Sequence, residues 1–125
     1  MKDVNGKKVL EVGDILSAKY TYGWECLFWK FFRVTRTTPS MVEIEELKGK
    51  TVYDDGKTGP HYYDDPRHYD LVRDSFGNPI PEDRGIFGLR KVKYLKSGDP
   101  VVKPEEFYRS IGIWDGKPLE EYNYH

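Results

Sequence analysis

The chain has little cysteine, no long apolar run, almost no net charge and no sustained helical periodicity, and each shortage narrows what it can be. One cysteine, Cys26, in 125 residues excludes an intramolecular disulfide and suits a reducing compartment. No apolar stretch approaches the roughly 18 residues of a membrane-spanning helix. The opening MKDVNGKKVLEVGD is also too charged for a secretory signal, so no membrane association is expected. Lys and Arg number 20 against 21 Asp and Glu, a net charge of −1. Such a chain has no global field to gather nucleic acid or anionic lipid, although a local basic patch stays open. Apolar spacing at i, i+3, i+4 and i+7 is not sustained over three turns, and no internal repeat or low-complexity tract occurs.

What the chain does have is aromatic surface. Aromatics are 15% of the residues while mean hydropathy is −0.74, so a few large side chains must supply the core of a single domain. They concentrate in YGWECLFWKFFRV, residues 22–34. Alternation along a strand from Trp24 to Arg36 puts Trp24, Cys26, Phe28, Phe32 and Val34 on one face, interrupted by Lys30, and Leu27, Trp29 and Phe31 on the other. Two arrangements fit. Either the strand is central and covered on both sides, or a bulge near Lys30 switches the inward parity. The run then serves as core, with Trp24 or Trp29 a spare ring for contact.

The remaining chain reads as short strands. NGKK is a frayed start, and Val9 to Tyr20 is the first strand, kinked at Val12-Gly13-Asp14. MVEIEEL alternates with Val42 and Ile44 inward and Glu43 and Glu45 outward, and pairs antiparallel with the aromatic strand. Asp55-Gly56 predicts a hairpin between Thr51–Tyr53 and Lys57-Thr58. Residues 59–85 read as a long inserted loop, with Asp65 and Pro66 able to start a helical turn over 66–72. IFGLRKVKYL is a strand ending in the Ser97–Pro100 turn, and Pro104 can begin a helical turn. IGIWDGKPLEEYNYH supplies a last strand, an Asp115-Gly116 turn and a Tyr122/Tyr124 tail. The expected fold is mainly β (β-rich α+β): a small SH3-like antiparallel barrel of five or six strands, a single domain over 1–125 with one long insertion.

His61, Asp64, Asp65, His68 and Asp70 are the residue types of a mixed nitrogen and oxygen metal site, but their spacing matches no metal motif, and the default is a solvated acidic loop. There is no nucleophile elbow, phosphate-cradling glycine loop or ordered triad. Adjacent carboxylates such as Glu45/Glu46 point apart along a strand. Arg33, Arg36, Lys91 and Lys93, beside Trp24, Trp29, Tyr20 or Tyr22, can build a nucleic-acid face, unless the cations pair across strands with Glu43 and Glu45.

Val12 to Leu47, VGDILSAKYTYGWECLFWKFFRVTRTTPSMVEIEEL, together with WDGKP at Trp114 to Pro118, resembles a family of small, mostly uncharacterised bacteriophage and prophage proteins. That family opens with a GDI strand, a YG turn and an aromatic strand, and closes on WDGKP. This chain departs from it in GWECLFWKFF, where the family is more polar, and in the Tyr/Asp/His insertion. The resemblance implies a non-enzymatic binding protein in the cytoplasm of a bacterial host. Such a protein acts stoichiometrically on a host protein or a small nucleotide signal, in host takeover or against host defence. The alternatives are a nucleic-acid-binding barrel and a metal-dependent enzyme using the insertion. No cofactor or metal is expected. The candidate contact residues are Tyr20, Tyr22, Trp24, Trp29, Arg33, Arg36, Tyr62, Tyr63 and Trp114.

Overall fold

β-branched and aromatic stretches punctuated by Gly, Asp, Asn and Pro fold into strands in the computed structural model, which describes residues 1–22, 26–54, 66–103 and 110–123. The described residues form β1 (Lys2–Val4), β2 (Lys7–Val9), β3 (Ile15–Tyr22), β4 (Cys26–Thr37), β5 (Met41–Leu47) and β6 (Gly49–Tyr53). These are followed by β7 (Arg67–Leu71), β8 (Pro81–Tyr94), β9 (Pro100–Val102), β10 (Ser110–Ile113) and β11 (Leu119–Asn123), with no helix among them. No described segment is therefore a helix long and apolar enough to cross a membrane.

Six strands close a barrel in the order β3-β10-β9-β8-β5-β4, with β4 returning to β3 and every pairing antiparallel. The small antiparallel barrel expected from the sequence is the observed architecture, and closure leaves it no free edge. Its interior holds Leu16, Ala18, Phe32, Val34, Val42, Ile44, Val102 and Ile111, with Leu10 at one end and Phe87, Val92 and Ile113 packed against them.

The strand β4 does more than close the barrel. Its later residues pair with β5, Phe31 opposite Leu47 and Val34 opposite Ile44, while its first residues Cys26 and Leu27 pair with β11. From β11 the sheet continues through β7 to β6, which follows β5 after only Lys48. These three strands cover the outer face of β4. Beneath them lies a second core of Phe31, Leu47, Leu71 and Trp114, with Ile15, Tyr69 and Leu119 against it. The aromatic strand is thus apolar on both sides because both sides are buried. A bulge does exist, but between Val34 and Arg36 instead of near Lys30, and it turns Arg36 outward. Lys30 shares the inward parity of Phe32, and its ammonium lies 3.8 Å from Glu46, which is 3% exposed.

Five local expectations need correction. The NGKK start is a hairpin: Asn5 and Gly6 both have positive φ, at 52° and 79°, the backbone of a type I′ turn, and β1 pairs with β2. The strand expected over 9–20 is broken after Val9 and resumes at Ile15. The helical turn expected over 66–72 is instead β7, whose Arg67 and Leu71 are buried between β6 and β11. Pairing on both edges overrides a local capping signal. Accordingly, Thr51 to Tyr53 pair with Tyr69 to Arg67, and Lys57-Thr58 lie outside the described residues. β8 begins at Pro81, inside the stretch read as loop. The helical turn at Pro104 also lies outside the described residues.

A close approach fixes the β6–β7 hairpin. Gly49 lies under the Tyr69 ring, which any Cβ at that position would overlap. Tyr69 in turn stacks on Phe31 with centroids 5.4 Å apart and planes within 10°.

Candidate functional site

The expected contact residues are distributed over several surfaces. Trp29 stands on the outer face of β4, half buried, and its indole N–H donates to the Glu120 carbonyl at 2.7 Å. Among the described residues β11 pairs with β4 at Tyr122–Leu27 and Asn123–Cys26. Beyond these pairs, the indole satisfies a carbonyl that no longer has a backbone partner on β4. Trp114 is 9% exposed. It meets Phe31 edge-on at 4.7 Å and donates its N–H to the Lys117 carbonyl at 2.7 Å. That bond spans the turn at Gly116, whose φ of 86° suits glycine. The WDGKP stretch is therefore the corner where the chain leaves the barrel for the second core.

Arg33 and Arg36 are matched by acids. Arg33 sits opposite Glu45, with its Nε donating to the carboxylate at 2.9 Å and its Nη2 also in contact. Arg36 reaches Glu43 at 3.3 Å, and the Thr35 hydroxyl donates to the same carboxylate at 3.0 Å. Cross-strand pairing, weighed against a nucleic-acid face from sequence, is what these two arginines do. Tyr20 and Tyr22 occupy β3 opposite Phe28 and Cys26, but their side chains lie outside the described set, as do Trp24, Tyr62 and Tyr63 altogether.

The Tyr/Asp/His segment is described only in part. His68 Nδ1 pairs with Asp54, and an Asp70 oxygen accepts the Leu71 N–H at 2.8 Å. Among the described residues no group of three His, Cys, Asp or Glu can hold a metal. His61, Asp64 and Asp65 lie outside them.

The residue that sequence reading passes over is Phe76, which is 88% exposed. It sits in the connection from β7 to β8, and Asp74 organises that connection. One Asp74 carboxylate oxygen accepts the N–H groups of Phe76 and Asn78, each at 2.9 Å. The Asp74 backbone donates to the Asn78 carbonyl at 2.9 Å and accepts from the Gly77 N–H at 3.0 Å. Arg73 Nη1 donates to the Gly77 carbonyl at 2.9 Å, Gly77 takes φ of 84°, and an Arg73–Pro79 bridge closes the base. The loop is an Asx-type turn with most of its backbone N–H groups bonded within it, and it presents one large apolar ring to water. The signal available in the sequence was Asp74-Ser75-Phe76-Gly77-Asn78: an apolar residue at the tip of a turn motif, with no periodic partner.

No family model, curated protein or solved structure matches this chain.

Proposed function

We propose that the chain is a non-enzymatic binding protein that acts stoichiometrically on a host protein, as its resemblance to phage and prophage proteins implies, and that Phe76 is the anchor of that contact. The observation that carries this reading is an 88% exposed ring on a loop whose conformation is set by Asp74 before any partner arrives. Burying a phenylalanine side chain is worth about 1.5–3 kcal/mol. A loop that is already ordered surrenders little of that gain to conformational entropy. Of the two target types the resemblance implies, a host protein fits this feature better than a small nucleotide. A protruding ring needs a pocket on the other molecule, whereas a small ligand needs a pocket on this one.

The test is retention of a host protein in one-to-one ratio by immobilised wild-type chain, compared with Phe76→Ala and Asp74→Ala. Phe76→Ala is expected to keep the thermal midpoint, because the ring has almost nothing to lose on truncation, and to lose the partner. Asp74→Ala is expected to weaken binding less, by loosening the loop without removing the ring. A Phe76→Ala protein that holds the partner as tightly as wild type overturns the reading.

A further inference from the structure

Charge is segregated on this nearly neutral chain. On the outer surface shared by β4 and β5 the arginines are paired with glutamates, whereas the stretch from the second half of β8 through the end of β9 carries lysines with few acids beside them in sequence. From Leu89 to Lys103 the sequence carries Arg90, Lys91, Lys93, Lys96 and Lys103 against one acid, Asp99. Asp99 is itself held by Lys8 at 2.9 Å. Lys91, Lys93 and Lys103 are exposed, and among the described residues none of them has a carboxylate within ion-pair distance.

The strand register brings two of these cations face to face. β8 and β9 pair Val92 with Val102 and Lys93 with Val101. One further step sets Lys91 opposite Lys103, and the Lys103 N–H donates to the Lys91 carbonyl at 2.9 Å. Like charges directly opposed on neighbouring strands work against the fold. On the other side of Lys91 stands Met41. A register shift between Val42 and Ile44 lets β8 bulge past β5, and a groove of about 360 Å³ opens there, lined by Met41, Gly88, Leu89, Arg90, Lys91 and Lys103.

We propose that this face holds the backbone phosphates of a short single strand of nucleic acid. An anion between Lys91 and Lys103 relieves their mutual repulsion. Lys93 continues the row two residues along β8, about 6.6–6.8 Å away, close to the separation of neighbouring phosphates in an extended strand. Met41 and Leu89 offer apolar contact to a sugar or base. Lysine ammoniums are point charges without the planar fork that reads base edges, so the binding is indifferent to sequence. The site uses the second half of β8 and the end of β9 and none of the Phe76 loop residues, and it stands whether or not a host protein binds there.

The test is fluorescence anisotropy of a labelled ten-residue oligo-dT with the full chain in 50 and 200 mM salt. Three phosphate contacts at a slope of about −0.7 each predict roughly a 20-fold loss of affinity across that range. Lys91→Glu and Lys103→Glu are each expected to weaken binding at least tenfold while raising the thermal midpoint, because either change turns a repelling pair into an attracting one. That opposite movement separates loss of a site from loss of folding. Lys50→Glu, an exposed lysine of β6, and Phe76→Ala are expected to bind as wild type does. The proposal is overturned by no binding at 50 mM salt, by Lys50→Glu losing as much as Lys91→Glu, or by dTMP competing as well as the oligonucleotide at equal phosphate concentration.

Discussion

Phe31 and Phe32 are consecutive on β4 and are 0% and 1% exposed, yet they belong to cores of different construction. Phe32 points into a barrel whose wall closes on itself, and its neighbours there are mostly aliphatic, with Phe87 edge-on at 5.8 Å. Phe31 points outward into a compartment of four buried residues covered by β6, β7 and β11. There it is gripped between Tyr69 and Trp114. A closed ladder can be filled with branched aliphatics. A cover of three short strands buries so few residues that large rings must supply most of the contact area.

This contrast is broken or sharpened first by truncating each ring. Phe32→Ala and Phe31→Ala should each cost about 3–5 kcal/mol, the usual range for deleting a buried phenylalanine, but with different footprints. Phe32→Ala is expected to raise amide exchange throughout the barrel. Phe31→Ala is expected to deprotect β6, β7 and β11 first, leaving β3, β9 and β10 protected. Exchange that rises evenly over all strands in Phe31→Ala would make the two cores one cooperative unit.

The next effect concerns how each core treats a buried charge. Glu46, inside the barrel, has Lys30 as a partner with 34% of its side chain still in water. In the second compartment both partners are buried: Arg67 is 9% and Glu121 7% exposed, 3.5 Å apart. Thr51 donates to the same Glu121 oxygen at 3.0 Å, while among the described residues Arg67 Nε has no hydrogen-bond acceptor. Removing one member strands the other, so Arg67→Met or Glu121→Leu alone should cost about 3–5 kcal/mol. The double variant should recover most of that loss, because two apolar side chains of similar size extend the aromatic core. Denaturant unfolding of the four proteins gives the coupling directly. A double variant as unstable as the singles would show that the pair holds β7 and β11 in place by more than mutual neutralisation.

How legible this was from sequence depends on whether a strand carries its own periodicity. Val42 and Ile44 inward, Glu43 and Glu45 outward, follow from alternation alone, and the pairing with Arg33 and Arg36 follows from antiparallel register. The turns at Gly98 and Gly116 are written in Ser-Gly-Asp-Pro and Trp-Asp-Gly. β7 is not legible, because Arg-His-Tyr-Asp-Leu puts a charged residue on the buried face, and only Glu121, some fifty residues later, makes Arg67 tolerable there. β8 hides for a related reason. Its bulges, one of them at Gly85 with φ of 78°, break the alternation that would have announced it. Trp114 reads as a surface aromatic beside a turn, and only the Phe31 face of β4 makes it core. The aromatic run itself admitted two arrangements. What decided between them was a cover assembled from distant strands.

The smallest effect belongs to a part of the molecule that has neither kind of core. The β1–β2 hairpin is mostly exposed and meets the barrel at the turn before β9. There Lys8 donates its N–H to the Gly98 carbonyl at 2.9 Å, and its ammonium pairs with Asp99 at 2.9 Å. The hydrogen bond from Lys8, and after it that from Ser97, holds the Asp99 carboxyl below the ordinary carboxylate range. The same bond and the charge of Asp99 raise Lys8. A lowered acid stabilises the fold above its unfolded pKa and loses that contribution as pH falls through the folded value. A raised lysine stabilises below its unfolded pKa and loses the contribution as pH rises through the folded value. The pair therefore contributes between about pH 4 and about pH 10. Both side chains are about half exposed, so the contribution is small and salt-screened. Asp99→Asn should lower the thermal midpoint slightly at pH 7, the deficit should diminish as pH falls through the folded Asp99 value, and the difference at pH 7 should shrink in 1 M salt. A deficit that does not diminish in acid would assign Asp99 to the geometry of its turn, where its carbonyl accepts the Leu95 N–H at 2.9 Å, instead of to its charge.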